Sequence, residues 1–379
     1  MRILVIPAVL NTPLRQRGVE LARTLAARHS VIVLGGERQP PGLTKLGKLG
    51  WHFRQAAGYV TRRLEPNLTA VRLPSFPRWP RVSRRYQSLL LALMARLWRP
   101  DAILTQGTGE VRAPRRRGTR IVYDLIDNHM AGLELEGRPE AARAVRAFIA
   151  DELQAAAMAT ASSRVLVRIL REEFQRDAVL VPNGIRVAAY RSVSADARNE
   201  LRERLGLGPG PTLGFTGGID WWVDVPLALG ALRAVQRTHP SARLLVVGDG
   251  GRAQEFRAAG SDVVVTGFVS PDEVPRYVAA FDVGLEPILK NRLTDAMLPI
   301  KIFDYAAARK PCVSTALEAY AGENLPFLWI TPSDPGRFGA AVLEALERRW
   351  DPAWDPVVDG YDWGRLASRL EPLLAGDAT

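Results

Sequence analysis

The sequence predicts an α/β protein built from two doubly wound parallel sheets. Short apolar runs alternate along the chain with amphipathic stretches of helical spacing, and this alternation implies parallel strands joined by helices. The apolar runs lack the in-and-out pattern of half-exposed strands, so we expect them to be buried on both faces of a sheet. The pattern restarts after a break near the middle of the 379-residue chain. We therefore expect two Rossmann-like domains that face a central cleft.

In the first half, five apolar runs are the predicted strands, at 3–6, 31–34, 68–73, 102–104 and 120–123. Apolar side chains at helical spacing predict helices over 15–28 and 84–98. The apolar start of the chain fits a first strand better than a signal peptide. It carries one basic residue, and Arg15 and Arg17 follow it where a small-residue cleavage site would stand.

The break between the halves begins at the turn sequence Pro182-Asn183-Gly184 and ends with the Gly- and Pro-rich residues 206–211. The second half repeats the pattern, with predicted strands at 212–215, 244–247, 263–266, 283–285 and 312–314 and a last helix over 363–374. The chain divides accordingly into an N-terminal domain over 1–185, a C-terminal domain over 186–361 and a terminal segment over 362–379. The helix of that segment could pack back on the N-terminal domain.

Composition excludes several classes of protein. A single cysteine rules out a disulfide framework and a cysteine-based zinc site, and the four histidines are too dispersed for a metal site. No run of about 18 apolar residues, the length that crosses a membrane, is present. We expect a cytoplasmic protein, with peripheral contact to the inner face of a membrane left open.

The basic charge is concentrated in the first half. Up to Ile185 there are 30 Lys and Arg residues against 15 Asp and Glu, and beyond it 21 against 25, so net charges of +15 and −4 give the +11 of the whole chain. Residues 43–64 show helical spacing with a basic side and an apolar, aromatic side. Such a helix could lie on an anionic membrane, or its apolar side could pack on the domain core. Nucleic-acid binding is not expected, because no binding module is recognisable.

Loops after strands of the second half carry candidate ligand contacts, since ligands of open parallel sheets bind beyond the carboxyl ends of the strands. Gly217 and Gly218 precede a helix, so their backbone could approach a phosphate, and an ordinary turn is equally consistent. The neighbouring Trp222 is expected to pack or stack. Gly248 fits a strand-to-helix turn better than a ligand contact, because the full dinucleotide-binding spacing is missing.

Lys301 is the most informative charge in the second half. Pro299 predicts the start of a helix, which places Lys301 in the first turn, where a cation is unfavourable against the helix dipole and needs an anionic partner. Asp304 follows three residues later on the same face. The two residues are either a surface ion pair, or contacts to a diphosphate and to a sugar hydroxyl.

A titratable cluster follows the last predicted strand of the first half. It consists of Asp124, Asp127 and His129. One of these groups could act as a general base at the carboxyl edge of the sheet. Alternatively, the two aspartates cap the loop or helix that follows.

Five motifs in this order resemble those of GT-B-fold glycosyltransferases: Pro182-Asn-Gly184, Gly214-x-x-Gly217, Val246-Val-Gly248-Asp-Gly, Thr266-Gly-Phe-Val269 and Pro299-x-Lys301-x-x-Asp304-Tyr-x-Ala. The closer likeness is to bacterial nucleotide-sugar-dependent transferases of the polysaccharide and teichuronic-acid biosynthesis type. Their Gly-x-Ile-x-x-Trp-x-Asp loop corresponds to 217–224, and their Leu-Thr and Pro-x-Lys-x-x-Glu-Tyr segments to 293–294 and 299–305. The resemblance is strong over 182–315 and weaker over the rest of the chain.

The resemblance implies that the C-terminal domain binds a nucleotide-diphosphate sugar. Lys301 would bind the diphosphate, and the backbone near Phe268 and Val269 would read the base. Asp304 stands where relatives usually have a glutamate for the ribose, and Ala296 stands where many have a second glutamate. The other donor-binding candidates on these motifs are Gly217, Gly218, Trp222, Asp224, Gly248 and Thr294.

The resemblance also implies transfer of the sugar to a hydroxyl acceptor, without a metal and with no cofactor besides the nucleotide sugar. The N-terminal domain would bind this acceptor, which is a lipid-linked saccharide, a polysaccharide precursor or a natural product. In an inverting reaction Asp127, Asp124 or His129 would deprotonate the acceptor hydroxyl, with Asp127 favoured. Arg15 would contact the donor phosphate or the acceptor. The alternatives are a nucleotide-sugar epimerase of the same fold and a non-catalytic nucleotide-sugar-binding partner subunit.

Overall fold

The structure, a computed structural model, describes residues 1–8, 17–35, 60–73, 80–109 and 111–377. The chain divides into two units, one of Met1–Pro182 with Leu366–Thr379 and one of Asn183–Arg365. The sequence places these boundaries at 185 and 361 instead. All ten predicted strands are present, with ends that lie within two residues of those expected.

The first unit contains one mixed sheet. Its strands are β1 (Arg2–Ile6), β2 (Ser30–Leu34), β3 (Val60–Glu65), β4 (Leu68–Arg72), β5 (Ala102–Thr105), β6 (Arg120–Leu125), β7 (Met158–Ala161) and β8 (Val179–Leu180). They lie in the order β3-β4-β2-β1-β5-β6-β7-β8. Neighbours from β4 to β8 are parallel, and β3 alone of the described strands is antiparallel, to β4. The expectation of a parallel sheet therefore holds except at this edge.

Helices connect the parallel strands of the first unit. They are α1 (Arg17–Leu25), α2 (Pro80–Trp98), α3 (His129–Leu135), α4 (Pro139–Ala155) and α5 (Arg164–Phe174). The buried side of α1 carries Leu21, Ala22 and Leu25, as its helical spacing predicts.

The predicted basic helix over 43–64 is wrong at its C-terminal end. Its residues up to 59 lie outside the described part of the chain, and 60–64 belong to the strand β3. Pro66 and Asn67 form a turn that folds β3 back on β4, so that Thr61 pairs with Val71. Pairing with a neighbouring strand has overridden the helical spacing of the charges.

The second unit contains a fully parallel six-stranded sheet. Its strands are β9 (Thr212–Thr216), β10 (Arg243–Val247), β11 (Val263–Val265), β12 (Val283–Glu286), β13 (Cys312–Thr315) and β14 (Leu328–Thr331). They lie in the order β11-β10-β9-β12-β13-β14. In such a doubly wound sheet the order reverses between the first and fourth strands, here β9 and β12, and ligands bind at that point beyond the carboxyl ends.

The helices of the second unit are α6 (Val187–Arg191), α7 (Ala195–Arg204), α8 (Val225–Gln236), α9 (Ala253–Arg257), α10 (Val274–Ala279), α11 (Ile300–Ala307), α12 (Pro335–Glu347) and α13 (Asp355–Asp359). The last helix, α14 (Trp363–Ala375), begins in this unit and continues into the first. There Glu371 Oε2 lies 3.1 Å from Arg28 Nη1, and the Leu373 carbonyl accepts a 2.7 Å hydrogen bond from Arg120 Nε.

Two glycines in the centre of the second sheet let aromatic rings lie directly on it. A Cβ atom at Gly284 would lie 2.1 Å from the Tyr305 ring, and one at Gly214 would lie 2.1 Å from the Phe281 ring. The Tyr305 hydroxyl accepts a 3.0 Å hydrogen bond from the Thr216 backbone N–H. The two contacts of Tyr305 hold α11 against β9 and β12, and the first turn of this helix carries Lys301.

Candidate functional site

The candidate ligand residues of the second unit gather at the carboxyl edge of its sheet. Gly217 and Gly218 follow β9, and Gly248 follows β10. Phe268 and Val269 come after β11, where Phe268 is half exposed, and Thr294, Lys301 and Asp304 follow β12. The sequence prediction placed them at this edge because each follows a predicted strand.

The loops after β9 and β10 are in direct backbone contact. The Gly217 N–H donates a 2.9 Å hydrogen bond to the Val247 carbonyl. A Cβ atom at Gly248 would lie 1.9 Å from the Gly217 carbonyl oxygen, and both glycines have positive φ angles, +156° and +113°. This packing accounts for Gly248 without a ligand, in line with the strand-to-helix turn favoured from the sequence.

Three further candidates have local structural partners. Asp224 caps α8, since its Oδ1 atom accepts a 3.1 Å hydrogen bond from the Leu227 N–H. Thr294 is buried, and its hydroxyl donates to the Leu289 carbonyl at 2.7 Å. Trp222 packs edge-on against Trp221, with ring centroids 5.6 Å apart. These side chains shape the loops around the site, and their contact with a donor stays a prediction.

Lys301 has the anionic partner that its position at a helix start requires. Its Nζ atom lies 3.5 Å from Oε2 of Glu286, a residue that the sequence reasoning missed. The same ammonium group lies 4.5 Å from the centroid of the Phe215 ring. A Cβ atom at Gly217 would lie 3.5 Å from Lys301 Nζ. Lys301 therefore lies beside the loop of Gly217 and Gly218, at the point where the strand order reverses.

Asp304 does not lie on the surface. Its side chain is 6% exposed and that of Lys301 is 17% exposed, so the interpretation of the two as a surface ion pair is wrong. The Tyr190 hydroxyl of α6 donates a 2.6 Å hydrogen bond to Asp304 Oδ1.

Glu286 ends β12 and is fully buried. Burial raises the pKa of its carboxyl to about 7, although the charge of Lys301 lowers it. The signal for this residue in the sequence is a lone glutamate that closes the apolar run Val-Gly-Leu-Glu.

Asp124 of the first unit lies in a buried ion-pair network. Arg17 binds it through two hydrogen bonds, Nε to Oδ2 at 2.8 Å and Nη2 to Oδ1 at 3.1 Å. Gln106 and Thr160 each donate a further hydrogen bond of 2.7 Å. Burial opposes ionisation, but Arg17 and these hydrogen bonds outweigh it and lower the pKa of Asp124. With both oxygens occupied, Asp124 is poorly placed to accept a proton, and this geometry favours a structural role.

Asp127 and His129 differ from Asp124 in their surroundings. Burial raises the pKa of Asp127, and the charge of His129 lowers it. The Nε2 atom of His129 is buried and has no hydrogen-bond partner among the residues that the structure describes. The cap of α3 is Asn128, which accepts a 3.1 Å hydrogen bond from the Ala131 N–H. The alternative that the two aspartates cap this helix is therefore wrong.

The described residues contain neither a cluster of metal ligands nor a membrane-spanning helix. No group of three or more His, Cys, Asp or Glu side chains that could hold a metal ion occurs among them. None of the helices in 1–8, 17–35, 60–73, 80–109 and 111–377 has the length and hydropathy of a membrane span. Arg15, the predicted phosphate or acceptor contact, lies outside these residues.

A known protein family covers the sheet that carries this site. The family described as "Glycosyl transferases group 1" matches residues 210–348. The match covers all six strands of the second sheet, β9 to β14. The matched residues include Gly217, Gly248, Glu286 and Lys301.

A sequence relative comes from Bacillus subtilis (strain 168) and is named "Putative teichuronic acid biosynthesis glycosyltransferase TuaH". It is 29% identical over 200 residues, which are 50% of this chain and 49% of that protein. The match thus spans about half the length of this relative. With the family match, it confirms the predicted resemblance to bacterial glycosyltransferases of this type.

Solved structures match the chain over its whole length. Sucrose-phosphate synthase from Thermosynechococcus elongatus has a TM-score of 0.72 at 15% identity, with 98% of each chain covered. HepE from Anabaena, solved with UDP, has a TM-score of 0.65 at 15% identity and covers 99% of this chain and 100% of its own. At these identities the likeness concerns the fold, and it confirms that the two α/β units have the GT-B fold.

Proposed function

We propose that the chain transfers a sugar from a nucleotide-diphosphate sugar to a hydroxyl acceptor, without a metal. The observation that carries this proposal is the position of Lys301 within the residues that match the glycosyltransferase family. Its ammonium group lies beside the Gly217 backbone at the reversal point of the sheet, where a diphosphate would meet a positive charge. HepE, which shares the fold, has been solved with UDP and with UDP-glucose.

A thermal-shift panel of UDP, GDP, dTDP, CDP and ADP, with NAD as control, tests the donor part. A nucleotide at 100 times its dissociation constant adds about 2.7 kcal/mol of stability, which raises Tm by a few degrees in a protein of this size. Selective stabilisation by one diphosphate supports the proposal. A panel without any shift contradicts the donor site.

For an inverting transfer, we propose Asp127 with His129 as the groups that take the proton of the acceptor hydroxyl. Both belong to the first unit, just beyond the carboxyl end of β6. Burial raises the pKa of Asp127, and Nε2 of His129 has no hydrogen-bond partner among the described residues. Asp127→Asn is expected to lower kcat about 10²- to 10⁴-fold, because general-base catalysis contributes that much, and to leave the Kd of the donor unchanged. kcat is measured from steady-state rates of donor hydrolysis or of transfer to an acceptor. The Kd of the donor is measured by nucleotide titration. Wild-type kcat in Asp127→Asn and His129→Gln would remove both from this role.

One face of helix α2 supports the predicted contact with an anionic membrane. Five large apolar side chains at spacings of four, three, four and four residues lie on one face of it and are exposed, with Leu89 at 66% and Leu97 at 74%. They are Val82, Tyr86, Leu89, Leu93 and Leu97. Arg85 and Arg96 flank this stripe and are exposed. We propose that the stripe rests in the headgroup region of an anionic membrane, where a lipid-linked acceptor would be presented.

Sedimentation with lipid vesicles tests this surface. Wild-type protein is expected to bind vesicles with 30 mol% anionic lipid more strongly than neutral ones, in a salt-dependent manner. Leu93→Asp is expected to reduce binding roughly tenfold or more, since it removes apolar area and adds a repelled charge. Leu135→Asp, an exposed leucine on α3 of the same unit, is the matched control. Equal binding of the two variants would contradict the proposed surface.

A further inference from the structure

Glu286 is a buried carboxylate with one charged partner. Its side chain is fully buried, and neither oxygen accepts a hydrogen bond from the residues that the structure describes. The nearest cation is Lys301, at 3.5 Å, which is longer than the roughly 3.2 Å limit of a good hydrogen bond. Buried carboxylates are normally paired and accept several hydrogen bonds, whereas this one has only the long contact with Lys301 among the described residues.

The groups that face Glu286 from the neighbouring elements supply no second positive charge. They are Asp304 and Tyr305 of α11, Cys312 of β13 and Tyr320 in the turn after β13. Burial, and next the charge of Glu286, raise the pKa of Tyr305, Cys312 and Tyr320 well above their ordinary values, so these groups are neutral near pH 7. Asp304 adds repulsion. Within the described residues, the charge of Glu286 therefore depends on Lys301.

A diphosphate bound at Lys301 would compete for the same ammonium group. Two negative phosphates and a buried carboxylate cannot share one cation without strong repulsion in a low-dielectric site. We propose that Glu286 is a positioning residue that holds the Lys301 ammonium in the free protein and gives it up to the donor diphosphate by taking a proton from solvent. The proton adds to a carboxylate oxygen of Glu286, and Lys301 stays protonated throughout. This inference rests on the proposed function.

The electrostatics of the free protein favour such a step near neutral pH. Burial raises the pKa of Glu286 to about 7, and an anion bound at Lys301 raises it further. Between the free and the bound pKa, binding takes up a proton, so affinity is highest below about pH 7 and falls as the pH rises. The limit for one proton is a tenfold change in Kd per pH unit.

Isothermal titration calorimetry with UDP-glucose tests the coupling, because its phosphodiester groups do not titrate between pH 6 and 9. At pH 7.5, titrations in two buffers of different ionisation enthalpy should show uptake of up to one proton by the wild type. The wild-type Kd should rise with pH above about 7, by up to tenfold per unit. Glu286→Gln should show no uptake and a flat Kd, and at pH 8.5 it should bind about tenfold more tightly than the wild type. Glu347→Gln, an exposed carboxylate at the end of α12, should behave like the wild type.

Thermal unfolding without nucleotide tests Glu286 independently of the donor. A carboxyl whose pKa is raised by folding costs the folded state stability as the pH rises from the unfolded pKa, about 4.3 for a glutamate, to the folded one, and the loss is complete above it. The Tm of the wild type should therefore fall relative to that of Glu286→Gln between about pH 5 and 7, and the difference should be constant above about pH 8. The inference would be overturned if the Tm curves of the two proteins ran parallel over the range in which a fall is expected. It would also be overturned if Glu286→Gln took up as many protons on binding UDP-glucose as the wild type does. Absence of UDP-glucose binding to the wild type would count against the proposed donor, and the unfolding curves would still decide the charge of Glu286.

Discussion

Lys301→Ala is expected to weaken UDP binding by about 2–4 kcal/mol, or roughly thirty- to a thousandfold. The reason is that the variant removes the cation nearest to the Gly217 loop, and loss of one partner of a desolvated charge pair costs about this much. It also leaves Glu286 without its partner, so we expect that carboxyl to be protonated in the variant. Fluorescence or calorimetric titration with UDP at pH 7 measures the effect.

Arg243→Ala is the matched control for Lys301. Arg243 is the first residue of β10 and so lies at the amino ends of the strands, away from the site at their carboxyl ends. It forms a partly exposed ion pair with Asp262. Its loss should leave UDP affinity unchanged, because exposed pairs contribute little and the site is at the other edge. Unchanged affinity in Lys301→Ala, with Arg243→Ala also unchanged, would exclude Lys301 from the diphosphate site.

Asp124→Asn is expected to lower the free energy of unfolding by about 3–5 kcal/mol. The variant leaves Arg17, which is 4% exposed, as a buried charge without its carboxylate partner. Folding lowers the pKa of Asp124, so its contribution is present above the unfolded value of about 3.9 and is lost as the pH falls through the lower folded value. Urea denaturation at pH 7 and at acid pH measures both effects.

The control for this variant is Asp177→Asn, which breaks the exposed pair with Arg171 and should change stability by less than about 1 kcal/mol. If Asp124→Asn were as stable as the control variant and had lost its activity, the structural role would be wrong. Asp124 would then return to the candidates for the proton acceptor.

Most of the strands that the sequence predicts contain a continuous apolar run. Of the four described strands that the sequence analysis missed, β14 has such a run, Leu-Trp-Ile, and β3, β7 and β8 lack it. β7 has the sequence Met-Ala-Thr-Ala, which favours a helix by propensity, and β8 has only two residues. Both are strands because β6 and β7 offer them a parallel edge to pair with. Such pairing depends on the tertiary structure and leaves no local signal.

In the candidate site, too, the sequence predicts features that depend on neighbouring residues and misses contacts between residues far apart in the chain. Lys301 could be singled out because Pro299 marks the start of its helix, and the need for an anion followed from the helix dipole. The identity of that anion could not be predicted, because Glu286 belongs to a different strand. Likewise Arg17 and Asp124 are 107 residues apart, so the chain alone did not separate Asp124 from Asp127.

The contact between Gly217 and Gly248 has a practical consequence for redesign. The backbones of the loops after β9 and β10 are in contact at the place where a side chain on Gly248 would lie. A change in the conformation of one loop therefore requires a change in the other. Grafting a longer loop at one of them would displace the other and, with it, the surface beside Lys301. Attempts to change donor preference are better directed at Phe268, whose side chain is half exposed and whose segment follows a different strand.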